Sequence, residues 1–209
     1  MLRTALATLA LALLGWWSAA WITQDFQVWT AEGARRLTVI EQPVAAPKVA
    51  LAGPGLIDAD LPTWLTGAGR ATIVDFVYTR CPTVCTTLGS EFQQLQRALA
   101  SDSTDGVKLL SISFDPNHDD AATLQRYAMQ WRADPTHWAI ATVRDADQLQ
   151  RLLAAFQVMV IDDGKGGYEH NAALLVIDGR GRLVRIFDDT ELELALNYAR
   201  SVAQREAGE

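Results

Sequence analysis

The stretch ATIVDFVYT, residues 71–79, constrains this chain more than any other. It is short, β-branched and aromatic, with a single charge, and so reads as a strand buried on both faces. From Pro82 onward the period changes, and Leu88, Phe92, Leu95 and Leu99 fall on one helical stripe. A buried strand that turns directly into an amphipathic helix belongs to a sheet covered by helices. The same alternation recurs downstream. VKLLSISF, 107–114, is a second central strand ending at Asp115-Pro116, and a helix over 119–131 follows with Leu124, Tyr127 and Ala128 on one face. HWAIAT, 137–142, reads as a strand, and 145–156 as an amphipathic helix whose acidic opening suits its dipole. Then come QVMVI, a flexible Gly-rich loop at 164–167, a hairpin turning about Asp178–Gly181, and a last helix over 189–204. This order predicts one three-layer α/β domain around a central β-sheet, with no internal repeat.

Upstream the pattern differs. Residues 5–22 carry no charge, and eighteen residues at 1.5 Å rise span about 27 Å, enough for a hydrocarbon core. Arg3 precedes the stretch, while Trp16, Trp17 and Trp21 crowd its far end, where amphipathic rings favour the interface. The expectation is a transmembrane helix with its start in the cytoplasm and the remaining chain exported. Ser18-Ala19-Ala20 has the small residues a signal peptidase reads, so cleavage after Ala20 is the alternative. We therefore divide the chain into a membrane anchor or uncleaved signal at 1–24, a linker and N-terminal extension at 25–60, and the α/β domain at 61–205. Within the linker, 35–44 can supply a strand, and 45–62 reads as loop and turns broken by Pro47, Gly53-Pro54-Gly55 and Pro62. An apolar fraction of 49% supports a buried core, and a net charge of −7 without a basic stripe argues against nucleic acid as a partner.

Both cysteines lie in TRCPTVC, 79–85. Cys81 follows the end of a central strand, where ligands commonly meet open α/β sheets. Pro82 suits a first helical position, which places Cys81 at the mouth of a helix that favours a thiolate. Cys85, four residues on, returns to the same face one turn later. The sulfurs can close a disulfide or share a metal, and two inert core cysteines remain the bland reading. Two thiolates do not complete a metal site, so a histidine is sought. His118, just past Asp115-Pro116, reads as a solvated loop residue, and His137, at a strand start, as structural or surface. His170 follows the DDGKGGYE loop and opens the core strand NAALLVI, so the loop can deliver its imidazole to the cysteine rim or leave it an ordinary hydrogen-bonded histidine. Two thiolates and an imidazole would suit soft Cu(I), could hold Cu(II), and do not exclude zinc. Asp115 either makes the turn or sits behind the site, orienting His170 or influencing thiol protonation. DGKGG at 163–167 lacks the spacing and final Lys-Ser/Thr of a phosphate loop.

DFVYTRCPTVC, SISFDP and YEHNAALLVID together resemble the SCO/SenC family of cytochrome c oxidase assembly proteins, over roughly 61–190 and in the anchor topology. The resemblance implies a thioredoxin-like fold behind an N-terminal transmembrane helix. It implies a copper ion, Cu(I) or Cu(II), held by Cys81, Cys85 and His170. It also implies a place in the bacterial inner membrane facing the periplasm, or on the intermembrane-space side of a mitochondrion. The implied role is a copper chaperone for the dinuclear copper centre of cytochrome c oxidase, with the copper-centre subunit as partner beside a periplasmic copper donor or thiol reductant. The alternative within the family is a thiol–disulfide oxidoreductase that reduces the receiving cysteines without carrying copper. The chain departs from the family pattern at Thr86 (commonly Pro), His118 (Arg), Glu169 (Asp) and Asn171 (Ser). All three implied ligands are kept, so these departures bear on partner choice and copper affinity.

Overall fold

The structure, a computed structural model, describes residues 2–23, 25–81, 84–101 and 106–208, and of residues 84–87 the backbone alone. Its elements in chain order are α1 (Leu2–Ile22), α2 (Ala31–Glu41), β1 (Val44–Ala45), β2 (Ala50–Gly53), β3 (Leu56–Asp60), α3 (Leu61–Ala68), β4 (Ala71–Val77), α4 (Val84–Ala100), β5 (Val107–Ser113), α5 (Ala121–Trp131), β6 (Trp138–Val143), α6 (Ala146–Ala155), β7 (Val160–Asp162), β8 (Tyr168–His170), β9 (Ala173–Asp178), β10 (Arg182–Asp188) and α7 (Leu192–Ala207). α1 is long and apolar enough to cross a membrane and buries none of its residues in the protein.

Eight strands form one mixed sheet in the order β1-β10-β9-β4-β5-β6-β2-β3. β4, β5 and β6 run parallel, and β9 pairs antiparallel with β4. β4 is the buried centre that its composition predicts, since every one of its residues is buried. Alternation along β4 points successive side chains to opposite faces. Phe76 meets Phe156, at the end of α6, edge-on at 6.3 Å, while α4 packs on the sheet together with α5 and α7. The three layers follow from that pleat. The stripe Leu88, Phe92, Leu95 and Leu99 on α4 is buried against it, each side chain contributing about 2–3 kcal/mol. The Phe92 ring lies 5.5 Å from that of Trp138, so Phe92→Ala would cost about 3–5 kcal/mol.

Two expectations for residues 35–62 are corrected. The strand expected over 35–44 is largely helix, because Thr30 caps α2 by accepting from Gly33 N at 2.9 Å, and Arg35 and Val39 fall one turn apart on its buried side. The β-branched run Thr38-Val39-Ile40 suggested a strand, but a good cap and a face to bury outweigh that preference. The loop expected over 45–62 holds the β2–β3 hairpin, turning at Pro54-Gly55, where Gly55 has φ +75°. β2 extends the sheet beside β6, and Gly53 admits the approach, since a side chain there would run into the Ile140 carbonyl.

Candidate metal centre

His170 reaches the sheet rim for a topological reason. β9 runs against β4, with Val74 facing Leu175 and Ala71 facing Asp178. The residues just ahead of β9 therefore stand at the C-terminal end of β4, the end that leads to Cys81. His170 Nε2 lies 3.1 Å from Phe76 O. A carbonyl oxygen only accepts, so Nε2 carries the proton and Nδ1 carries the lone pair. Burial holds the pKa of His170 below the usual histidine value, opposed by the Phe76 bond. The ring is therefore neutral at pH 7, the form that a metal requires. Phe114 packs against it with centroids 5.1 Å apart.

The β7–β8 hairpin carries His170 and is tied down. Val160 faces His170 and Asp162 faces Tyr168. The flexible loop expected at 164–167 is a hydrogen-bonded turn: Asp162 accepts from Gly164 N, Asp163 from Lys165 N and Gly167 N, and Gly164 and Gly166 take φ of +70° and +87°. Tyr78 OH bridges Tyr168, donating to its carbonyl and accepting from its amide, both at 3.2 Å. Asn171 closes the base of the hairpin, accepting from Met159 N at 2.7 Å and donating to Gln157 O at 3.1 Å. Tyr78, Phe114, Tyr168 and His170 thus form one aromatic wall along the rim.

On the cysteine side, Cys81 N donates to Tyr78 O at 3.2 Å, closing a turn that leaves Cys81 half-buried against the core. Two buried carboxylates pin this turn to the loop after β5. Asp119 accepts from Thr79 N at 3.0 Å, from the Thr79 hydroxyl and from the Ser113 hydroxyl. Asp115 accepts from Arg80 Nη2 at 2.9 Å through one oxygen and lies 2.9 Å from His118 Nδ1 through the other. Asp115 is therefore engaged with the residue beside Cys81 and with His118, whereas the proton-bearing nitrogen of His170 is held by Phe76. Asp119 was not legible as part of the site; in sequence it is one of two acids opening α5. Its neighbour Asp120 is the one that caps α5, through Thr123 N.

The fold brings Cys81 and His170 to one rim. Helix α4 starts at Val84, which sets Cys85 in its first turn; the Cys85 side chain and Pro82, expected at the first helical position, lie outside the described residues. Among the described residues no group of three His, Cys, Asp or Glu side chains converges as a metal site. His137 precedes β6, at the opposite end of the sheet, against Asp134 at 3.2 Å. A neutral imidazole whose Nδ1 has no hydrogen-bond partner among the described residues, on the same rim as a half-buried thiol, offers soft donors that fit copper.

Residues 63–203 match the family model SCO1/SenC. The SCO1 protein homolog of Bacillus subtilis strain 168 is 22% identical over 125 residues, 59% of this chain and 64% of its own length. In structure, the chain resembles BsSco, a member of the Sco family of cytochrome c oxidase assembly proteins in which a disulfide switch is identified; the TM-score is 0.67 at 17% identity, covering 78% of this chain and 95% of that one. It also resembles ScoI of Bradyrhizobium japonicum with copper bound, with a TM-score of 0.58 at 25% identity over 74% of this chain and 99% of that one. The mixed sheet with covering helices is the thioredoxin-like fold of these proteins.

Proposed function

The chain belongs to the SCO1/SenC family, and from that premise we propose that it is a membrane-tethered copper chaperone serving the dinuclear copper centre of cytochrome c oxidase. Residues 1–24 form the anchor, 25–60 lead from it and add α2 and β1–β3 to the domain, and 61–205 carry the copper site, facing the periplasm or its mitochondrial counterpart. Copper is the cargo, held by Cys81, Cys85 and His170. The observation that carries this reading is the imidazole of His170, fixed by Phe76 O at the rim where the Cys81 turn emerges, neutral and with Nδ1 available. Asp115 and Asp119 act behind the ligands by holding Arg80 and Thr79. Release to the copper-centre subunit proceeds by ligand exchange, an acceptor thiolate replacing one donor at a time. The reduced chain is expected to bind one copper per molecule with sulfur-to-copper absorption, and Cys81→Ala and His170→Ala each to lose tight binding. Unchanged stoichiometry and affinity in both variants would refute the ligand set.

A second reading rests on Cys85 standing in the first turn of a 17-residue helix, whose N-terminal amides favour a thiolate. As a thiol–disulfide oxidoreductase, the chain would reduce the acceptor's disulfide. The Cys81 thiolate attacks one sulfur and releases the other as a thiol. Cys85 then attacks Cys81 in the mixed disulfide, frees the second acceptor thiol and leaves the Cys81–Cys85 disulfide, two electrons having passed to the acceptor. Cys85→Ser would trap the mixed disulfide, and His170→Ala would leave this activity intact.

A further inference from the structure

The chain enters its domain at the rim that carries Cys81 and His170. Asp188, at the end of β10, faces Ala173, the first residue of β9 and three residues past His170. α2 begins beside that pair. Arg36 donates to Asp188 at 3.4 Å and to Glu191 at 3.2 Å, and Arg35 donates to Phe156 O at 3.1 Å. The helix then runs back along β10 to β1, where Val44 faces Leu183 at the far rim. A cleft of about 650 Å³ makes the neighbourhood explicit, since Glu32 and Arg35 of α2 line it together with Met159, Asn171 and Ala172.

Little chain separates this entry point from α1. Phe26 N donates to the Thr23 hydroxyl and Val28 N to Thr23 O, both at 3.1 Å, which holds residues 25–28 back against the end of α1. Thr30 already caps α2, so Trp29 alone joins Val28 to the cap. Val28, Trp29 and Thr30 at full stretch reach at most roughly 10 Å. Trp29 is 74% exposed, and the Phe26 ring bridges it to Trp16 of α1 at centroid distances of 6.0 and 4.8 Å. Such rings favour the layer between hydrocarbon and water. Gly106 and Gly181 stand at the other end of the strands, about seven residues or roughly 23 Å further off.

We propose that the rim bearing Cys81 and His170 is the membrane-facing side of the domain, with Trp29 seated among lipid headgroups, so that its copper acceptor is a membrane protein presenting thiols close to the bilayer surface. This rests on the anchored copper-chaperone reading and adds an orientation to it. Steering comes from the short tether. The rim carries charges of both signs, Glu32 and Asp188 being paired with Arg36, so charge alone does not set the orientation.

Paramagnetic relaxation of the full chain in phosphatidylcholine nanodiscs, doped with lipid carrying a gadolinium chelate on its headgroup, tests the orientation. Amides of Met159, Asn171 and Ala172 are expected to relax several-fold faster than those of Gly106 and Gly181. Equal or reversed enhancement would overturn the proposal, as would a chain that washes off the discs. Inserting twenty Gly/Ser residues between Trp29 and Thr30 adds a coil of about 25 Å and is expected to flatten the gradient. A gradient that survives the insertion would overturn the tether as its cause. Copper stoichiometry on the same discs separates the two ideas: full binding without a gradient defeats the orientation alone, and a gradient without binding defeats the copper reading alone.

Discussion

Phe76 contributes only a carbonyl oxygen to the rim, yet that atom decides which nitrogen of His170 is open to a metal. Asp119 plays the matching part for the cysteine turn. Removing its carboxylate leaves the Thr79 amide and the Ser113 hydroxyl without their acceptor in a buried setting, at about 1–3 kcal/mol for each orphaned group. Asp119→Ala is therefore expected to lower copper affinity about tenfold, as loss of an outer support typically does, measured by competition with a Cu(I) chelator. Asp120→Ala removes the cap of α5 instead, and is expected to lower the unfolding free energy by about 1 kcal/mol in denaturant titrations while leaving affinity alone. If the two variants lose affinity equally, Asp119 is a fold residue and nothing more. In the sequence these acids are adjacent and alike. Cys81 and Cys85 stand out because two thiols at a strand-to-helix junction have few bland uses, and His170 is singled out by the family resemblance, its spacing alone leaving an ordinary hydrogen-bonded histidine open; an aspartate opening a helix has an ordinary use that conceals a second one.

Among elements, the legible ones were those with a strong period and a sequence long enough to display it. β4, β5, α4, α5, α6 and α7 all fall where the apolar pattern puts them, within a few residues. α2 and the β2–β3 hairpin did not, because α2 has a short apolar face and the hairpin is defined by a pairing partner, β6, far away in sequence. β4 also hides a feature that composition does reveal, its single charge. Asp75 is fully buried and neither carboxylate oxygen has a hydrogen-bond partner among the described residues. Burial pushes its pKa up to about 8, partly offset by the Ser111 hydroxyl on β5 and with a smaller push from Glu91 on α4, whose own pKa burial and the charges of Asp189 and Asp188 raise to about 7. A pKa raised on folding means that the folded chain holds the proton more tightly than the unfolded one. Stability from this group is thus complete below about pH 4 and is lost as pH rises toward 8. Asp75→Asn is expected to remove that loss, gaining on the order of 3 kcal/mol over the parent chain between pH 5 and 8.5 in urea titrations. Parallel pH profiles in the two chains would show that Asp75 is not the group responsible.

At the scale of the whole molecule, the proposed site draws on two segments that only the sheet brings together, the turn after β4 and the hairpin before β9. An unfolded chain keeps the cysteine pair, which is local, but not the histidine. Copper held by all three therefore favours the folded state, by about 4 kcal/mol where the folded chain binds it a thousandfold more tightly than the cysteine pair of the unfolded chain does. Near this size a domain gains about 2–4 °C in Tm for each kcal/mol, so the reduced, copper-loaded chain is expected to melt roughly 10 °C above the reduced copper-free chain. Two comparisons give the number its meaning. The Cys81–Cys85 disulfide removes both thiolates and should show no copper-dependent shift. His170→Ala leaves a pair that binds folded and unfolded chains alike, so its shift should shrink to a small fraction of the parent's, since only differential binding moves the equilibrium. A full shift in the His170 variant would mean that copper is held entirely within the 81–85 turn, and that the antiparallel pairing of β4 with β9 supplies the fold without supplying the site.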